Sequence, residues 1–391
     1  MTKPEMTKKG QFFDYSTLII VLVLIAFGLV MVYSTSSYSG AQKYGDAAYF
    51  FKKQLKSTIF GLVCKFAATL IPYQTWYKFS VPMYIASIFS VLLVLTPLGM
   101  TINGARRWIN VGMSIQPAEV VKLCIVIMLA AFACYSGKYM GKAKNNVIYI
   151  VLSLLPALLI FAITNNLSSA IIVLGIAYIL LIVSNPKPTW ILVVTALLVV
   201  GIAVFLMLFF KNASNGSELG FRFKRLLAWK DPESYASGTG YQTLQALYAI
   251  GSGGFFGKGL GQSIQKLGFI PEAQNDMIFS VVCEELGLFG GICLIVLFIL
   301  LIYRFMVVAN NAPDLFGSLL VVGVMAHIAL QVILNIAVVT NSIPNTGVTL
   351  PFISYGGTSV AFLLIEMGIV LNVSRQIRVP ATVTKKKKEI E

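Results

Sequence analysis

Charged residues are scarce in this sequence. Asp, Glu, Lys and Arg make up 12% of the 391 residues, whereas a soluble domain carries about 25%. Apolar residues reach 57%, so a soluble fold of this length would lack the polar residues needed to cover its surface. The composition therefore excludes an ordinary soluble enzyme and indicates that lipid surrounds much of the molecule.

Residues that usually build metal and redox sites are scarce as well. The chain has one histidine, which excludes a zinc site with several histidine ligands. Its five cysteines lie in apolar runs without a CxxC spacing, and we interpret them as small core residues. They are Cys64, Cys124, Cys134, Cys283 and Cys293.

Acidic residues are half as numerous as basic ones, 15 against 30, which gives a net charge of +15. Lys and Arg concentrate in the short cytoplasmic loops of membrane proteins. Placing the N-terminus inside puts 15 of the 30 Lys and Arg, including the KKKK run at 385–388, on the cytoplasmic side, against six in the short external loops. This bias predicts a multi-pass protein of the bacterial cytoplasmic membrane with both termini cytoplasmic. The charge then reflects topology and attraction to anionic lipid, and we expect no nucleic-acid partner.

Ten apolar runs approach the length of about 20 residues that crosses a bilayer. Two of them fit least well, because the second contains Lys65 and the sixth is short. The runs predict an all-α polytopic membrane protein with about ten transmembrane helices. They lie near 15–35, 54–71, 77–98, 117–136, 147–164, 168–184, 190–210, 278–303, 317–340 and 357–374.

The chain is predicted to be a single membrane domain over 1–391 with one large extracytoplasmic loop. A loop of this length is usually functional or disordered, and its amphipathic stretches and aromatic residues favour a folded external cap. The predicted parts are the cytoplasmic tail 1–14, spans 1–7 over 15–211, the loop 212–277, spans 8–10 over 278–374 and the basic cytoplasmic tail 375–391.

Charges inside or beside membrane spans are costly and are therefore candidates for function. Glu119 and Lys122 lie three residues apart on the fourth span, either as a structural ion pair or as part of a cavity. Arg106 and Arg107 precede that span beside Trp108. Two guanidinium groups suit a phosphate or diphosphate, although anchoring at the membrane interface is the alternative.

Acidic residues cluster around the start of the eighth span. Glu272 and Asp276 lie just before it, and a carboxylate at an apolar boundary has a raised pKa and can act as a general base. Asp276 could equally cap the helix that follows. Glu284 and Glu285 lie deeper in the span, where a structural role is the default.

Two glycine-rich segments and one polar helix face complete the candidates. The segment GSGGFFGKGLG at 251–261 lacks GK[ST] and is rejected as a nucleotide site. The segment NTGVTLPFISYGGTS at 345–359 breaks the backbone where a cavity could lie. His327, Gln331 and Asn335 on the ninth span suggest interhelical hydrogen bonds or, alternatively, a polar pathway. Together these features suit a lipid-linked anionic substrate at the outer leaflet, without distinguishing its transport from its reaction.

Three stretches resemble the SEDS family, the shape, elongation, division and sporulation proteins. They are GARRWINVGMSIQPAEVVK at 104–122, GKGLGQSIQKLGFIPEAQNDMIFSVVCEELGLFGG at 257–291 and TGVTLPFISYGGTS at 346–359. The last is more similar to the FtsW and SpoVE branch than to the RodA branch. The resemblance covers nearly the whole chain.

The resemblance implies an inverting peptidoglycan glycosyltransferase that transfers the growing lipid-diphosphate-linked glycan onto lipid II outside the membrane. Asp276 matches the family's essential acidic residue and would be the catalytic base. The implied substrate-binding residues are Arg106, Arg107, Glu119, Lys122, Lys266, Glu272, Ser354 and Gly356.

The resemblance also implies partners: a class B penicillin-binding protein and other divisome or elongation proteins. No cofactor is assigned with certainty, and a divalent cation, Mg²⁺ or Mn²⁺, stays open. Many members carry PDLG[ST]A after the fifth span, whereas this chain reads NNLSSA with Asn165 and Asn166. That departure puts a metal contact through the acidic position in doubt. The competing hypotheses are a lipid II flippase and a non-catalytic scaffold for cell-wall synthases.

Overall fold

The bundle is built from apolar helices whose length and hydropathy the sequence already indicates. The computed structural model describes residues 10–11, 13–102, 105–110, 112, 114–186, 188–189, 191–193, 195–196, 199–201, 221–238 and 240–379. Its helices are α1 (Tyr15–Tyr44), α2 (Tyr49–Leu70), α3 (Tyr73–Lys78), α4 (Ser80–Leu92), α5 (Pro117–Ser136), α6 (Ala143–Thr164), α7 (Leu167–Ser184), α8 (Phe221–Lys230), α9 (Tyr241–Gly253), α10 (Ile278–Asn310), α11 (Leu315–Val339) and α12 (Thr358–Arg375).

Within the described residues, seven helices are long and apolar enough to cross a membrane: α1, α5, α6, α7, α10, α11 and α12. The predicted all-α polytopic membrane protein is therefore confirmed. The second predicted span is helical as α2, although its four lysines make it less apolar. The third is interrupted, because α3 ends at Lys78 and α4 starts at Ser80, with Pro82 in its first turn. The seventh, 190–210, lies mostly outside the described residues, so the count of ten stays a prediction.

The centre of the bundle is formed by α5, α11 and α12, which are the most buried of the spans. Glycine allows α2 to pack closely on α12. A Cβ built at Gly61 would lie 2.9 Å from the Ala361 Cα, and one at Gly368 would lie 2.5 Å from the Lys65 carbonyl oxygen. Small residues at such contacts let helix backbones approach in a membrane, where close packing drives association.

A small antiparallel sheet, which the sequence did not predict, lies between α4 and α5. It consists of β2 (Gly99–Ile102), β3 (Ala105–Asn110) and β4 (Ser114–Ile115), with β3 in the middle. A second, two-residue ladder pairs β1 (Gly10–Gln11) with β5 (Arg378–Val379). That pairing places the two ends of the described chain on the same side of the bundle.

The segment that follows α9 is bonded to a break in α10. Gly287 in α10 has φ 68 and ψ −173, so the helix is interrupted there. The Leu288 and Phe289 amides donate to the carbonyls of Gly254 and Phe255, and the Lys258 and Gly259 amides donate to those of Glu284 and Glu285. Backbone groups freed by a break must find partners in a membrane. These bonds supply them and fix the loop that leads to residue 276.

Candidate functional site

Asp276 lies between the loop after α9 and the start of α10, partly exposed. Three elements hold it. The Gln242 amide of α9 donates to its Oδ1 at 3.4 Å, and the buried Asn335 amide of α11 donates to its main-chain carbonyl at 2.7 Å. A Cβ built at Gly347 would lie 3.6 Å from Oδ2. The N-cap of α10 is Met277, without a side-chain capping bond, so capping does not account for Asp276.

The surroundings of Asp276 change the pKa of its carboxyl group. Removal from water raises that pKa to about 6, against a usual value near 3.8. The neighbouring charge of Glu272 also raises it, whereas the charge of Arg225 and the bond from Gln242 lower it. A carboxylate that titrates near neutrality is suited to general-base catalysis.

A polar network extends from Gln242 to the segment 345–347. The Asn345 amide donates to the Gln242 Oε1 at 3.1 Å. The Arg225 guanidinium of α8 donates to the Asn345 carbonyl at 3.2 Å, and the Ser168 hydroxyl donates to the Thr346 carbonyl. The sequence did not single out Gln242, Asn345 or Arg225, because an uncharged amide or a loop arginine carries no signal until the chain folds.

The two adjacent arginines make separate contacts. Neighbouring residues of a strand point to opposite faces, and both lie on β3. The Arg106 guanidinium donates to the Thr96 carbonyl at 2.6 Å. That of Arg107 donates to the carbonyls of Thr164 and Asn165 at 3.1 and 2.9 Å. A joint role of both at one diphosphate stays a prediction.

Arg107 instead lies within the electrostatic range of Arg225. Burial and the charge of Arg225 both lower the pKa of Arg107. Burial also lowers the pKa of Arg225, and the charge of Asp276 opposes that decrease. Arg225 is thus the charged group between the other two: it interacts electrostatically with Asp276 and with Arg107. Two half-buried guanidinium groups that repel each other are a suitable binding site for an anion.

Glu119 and Lys122 form the predicted ion pair. The Lys122 Nζ lies 2.6 Å from the Glu119 Oε1, and both side chains are buried in the first turns of α5. The Glu119 Oε2 has no hydrogen-bond partner among the described residues, so this carboxylate keeps an acceptor position. Within the same residues, no hydrogen bond or ion pair connects the pair to Asp276.

Lys266 has a different environment from the one expected of a substrate-binding residue. Its buried ammonium lies 2.7 Å from the Glu285 Oε1 and donates to the Ser34 hydroxyl of α1 at 2.9 Å. Glu284 is paired likewise with Lys258 at 2.7 Å and accepts bonds from Ser263. These groups join the loop to α10 and α1. The structural role expected of Glu284 and Glu285 agrees with this, and the assignment of Lys266 to substrate stays a prediction.

Ser354 and Gly356 also make contacts within the fold. The buried Ser354 hydroxyl accepts from the Leu350 amide at 2.8 Å, and the Gly356 amide donates to the Gln54 Oε1 at 3.3 Å. Gln54 is a buried residue of α2, so this turn is joined to the bundle. Glu272 accepts from the Asn275 amide at 2.7 Å and has a positive φ of 51. Of these three residues, Glu272 is the one whose charge affects Asp276.

The polar face of α11 makes interhelical bonds, as its default interpretation predicts. The His327 Nδ1 lies 2.9 Å from Glu366 of α12, and the Gln331 amide donates to the Thr349 hydroxyl at 3.3 Å. In the described part of the chain, no cluster of three or more His, Cys, Asp or Glu side chains could hold a metal ion. A divalent cation therefore stays an untested expectation.

Comparison with known proteins places the chain among cell-wall proteins. The FtsW/RodA/SpoVE model, described as cell cycle protein, matches residues 15–379. Stage V sporulation protein E of Bacillus subtilis (strain 168) is 38% identical over 95% of this chain and 100% of its own length. The probable peptidoglycan glycosyltransferase FtsW of the same organism is 36% identical over 96% of this chain and 94% of its own.

Solved structures agree with the curated relatives. A chain from a peptidoglycan synthase complex, studied for its coordination of polymerization and crosslinking, superposes with a TM-score of 0.74 at 27% identity, covering 93% of this chain and 98% of that one. The rod shape determining protein RodA of Thermus thermophilus superposes with a TM-score of 0.67 at 25% identity, covering 93% and 97%.

Proposed function

The chain belongs to the FtsW/RodA/SpoVE family, and we propose that it is a peptidoglycan glycosyltransferase with Asp276 as its general base. It extends glycan strands from lipid II at the outer face of the cytoplasmic membrane, in division or sporulation. Relatives named as peptidoglycan glycosyltransferases support the activity. The site supports the assignment of Asp276, and one observation carries it: a partly exposed carboxylate with a pKa of about 6, on which the charge of Arg225 acts.

The reaction needs a base at the acceptor and a cationic site at the donor. Asp276 takes the proton of the acceptor sugar hydroxyl, and the oxygen of that hydroxyl forms a bond to the anomeric carbon of the donor. The bond from that carbon to the diphosphate breaks, and the lipid diphosphate leaves with the electron pair. Direct displacement driven by one base inverts the anomeric carbon.

The cationic site for the departing diphosphate is assigned to Arg225 and Arg107. Arg225 is the arginine whose charge acts on Asp276, so it would bind the diphosphate as negative charge develops at the reacting centre. Arg107 lies beyond it, fixed by two main-chain carbonyls. Guanidinium groups that are already oriented stabilise a developing charge more than mobile ones, because they need no reorganisation. Glu119 and Lys122, buried in α5, are the further substrate-binding residues of the proposal.

The partner and the orientation are part of the same proposal. A structural relative comes from a peptidoglycan synthase complex, which supports a class B penicillin-binding protein as the partner that crosslinks the new glycan. Lipid II is the substrate that the named activity of the relatives suggests. The two ends of the described chain lie on the same side of the bundle, and the excess of basic residues in the loops supports a cytoplasmic location for both. With this orientation, the proposal places Asp276 on the outer side of the membrane.

The test is polymerisation of purified lipid II by the full-length protein with its partner synthase. Asp276→Asn keeps the size and the acceptor oxygen of the side chain but cannot take the proton, so we expect a rate loss of about 10²- to 10⁴-fold. Asp231→Asn is the matched control, because Asp231 is exposed in the same loop and its carboxylate accepts from the neighbouring Ser234. Full activity of Asp276→Asn would contradict the proposal. Translocation of labelled lipid without polymerisation would favour the flippase.

A further inference from the structure

The orientation of the Gln242 amide is determined by a chain of hydrogen bonds that starts at a main-chain group. The Gly347 amide can only donate, and it donates to the Asn345 Oδ1 at 3.1 Å. The other end of the Asn345 side chain is therefore its NH₂ group, which donates to the Gln242 Oε1 at 3.1 Å. The oxygen and nitrogen of a side-chain amide are assigned from such networks. Gln242 must then present its own NH₂ group to Asp276.

The two oxygens of Asp276 have different neighbours. Oδ1 is the oxygen that Gln242 contacts at 3.4 Å. Oδ2 lies beside Gly347, which has a positive φ of 70 and no side chain to contact this oxygen; a Cβ built there would lie 3.6 Å from it. Asn335 bonds the main-chain carbonyls of Asp276 and Val348, each at 2.7 Å. Asn335 therefore fixes the main chain at Asp276, whereas Gln242 contacts the carboxylate itself.

We propose that Gln242 is a positioning residue for the general base, oriented by Asn345. It holds Oδ1 in place so that Oδ2, beside Gly347, takes the proton of the acceptor hydroxyl. Its NH₂ group also favours the ionised form of the carboxylate, because that form is the better acceptor. The inference rests on the proposed function, since it needs Asp276 to be the base.

The alternative role for Gln242 is a purely structural contact between α9 and α10. A structural contact would affect the amount of folded protein and the rate at every pH alike. A residue that sets the ionisation of Asp276 changes the pH at which activity is lost. The charged groups that face Asp276 are Glu272 on its own segment and Arg225 on α8, and both are unchanged in the variants below.

The experiment measures the rate of lipid II polymerisation against pH for the full-length protein with its partner synthase. In the wild type, activity should fall below about pH 6. Gln242→Leu removes the donor, so the pKa of Asp276 rises and activity is lost at a higher pH. The hydrogen bond is long, at 3.4 Å, and therefore weaker than one of ideal length, so the expected upward shift is a few tenths of a pH unit. Activity should recover largely when the pH is raised further.

Asn345→Ala tests the orientation without touching Gln242 and without adding a charge. Alanine cannot donate to the Gln242 Oε1, so the Gln242 side-chain amide is no longer oriented and its oxygen can turn toward Asp276. The acid limb of the pH profile, where activity falls as the pH decreases, should then shift upward as in Gln242→Leu. Gln262→Ala is the control, because Gln262 is an exposed residue of the loop after α9 and should leave the limb in place.

The outcomes separate this inference from the proposed function. A uniform loss at all pH values in both variants, with an unshifted limb, would overturn the positioning role while leaving Asp276 as the base. Undiminished activity of Asp276→Asn would overturn the proposed function itself. An upward shift in Gln242→Leu together with an unshifted Asn345→Ala would overturn the part assigned to Asn345.

Discussion

Two groups of carboxylates lie within ten residues of each other around the start of α10, and they have opposite environments. Glu285 is buried but pairs with Lys266 and Ser34, and Glu284 pairs with Lys258 and accepts from two main-chain amides. Asp276 is partly exposed and accepts a long bond from a neutral amide. Burial of a charge is tolerated when its partners are complete. The carboxylate with incomplete partners is the one available for chemistry.

The largest effect expected from this comparison is on stability at the paired carboxylates. Glu285→Gln leaves the buried Lys266 ammonium without its counter-charge, which costs about 3–5 kcal/mol. Thermal unfolding in detergent should show a clearly lower midpoint. The double change Lys266→Met and Glu285→Gln removes both charges and should recover much of the loss. A single variant as stable as the wild type would show that the pair is not structural.

A smaller effect of opposite sign is expected at Asp276. Its pKa in the folded protein is raised to about 6, so above that pH the folded state holds a charge that the unfolded chain solvates better. Asp276→Asn removes this penalty and should raise stability by about 1 kcal/mol at pH 8. The gain should disappear at pH 4, where the carboxyl is largely protonated in the folded state. Destabilisation at pH 8 would mean that the carboxylate holds the fold together.

The comparison also shows which features could be predicted from the sequence. Apolar runs indicate most of the helices, because length and hydropathy are local properties. The ion pair of Glu119 and Lys122 was predictable for the same reason, since helix geometry brings residues three apart together. The acidic residue before α10 was found by its position, and the family resemblance supplied its role.

The sequence could not predict contacts between distant segments. Lys266 was assigned to substrate, and its contact with Ser34, which lies 232 residues away in the chain, has no local signal. Arg106 and Arg107 were expected to act together, but they lie on a short strand that the sequence did not predict. Gln242 and Asn345 were missed because an amide acquires its role only through the groups it meets in the fold.

The smallest effect in this comparison concerns Glu272, which affects Asp276 through its charge. Its negative charge raises the pKa of Asp276, so Glu272→Gln should lower that pKa and keep the base ionised to a lower pH. The acid limb of the pH profile should move down by a few tenths of a unit, the size expected of a charge near the protein surface. Glutamine can still accept from Asn275, so the local fold should persist.

The control for this prediction is Glu233→Gln, an exposed glutamate of the same loop, which should leave the limb unchanged. The maximal rate and the KM should be measured separately, because a direct contact of Glu272 with substrate would raise KM without moving the limb. A shift upward would contradict the assignment of the limb to Asp276, since loss of a neighbouring negative charge cannot raise the pKa of a carboxyl group. A downward shift here and an upward shift in Gln242→Leu would together identify the titrating group as the one carboxylate that both residues face.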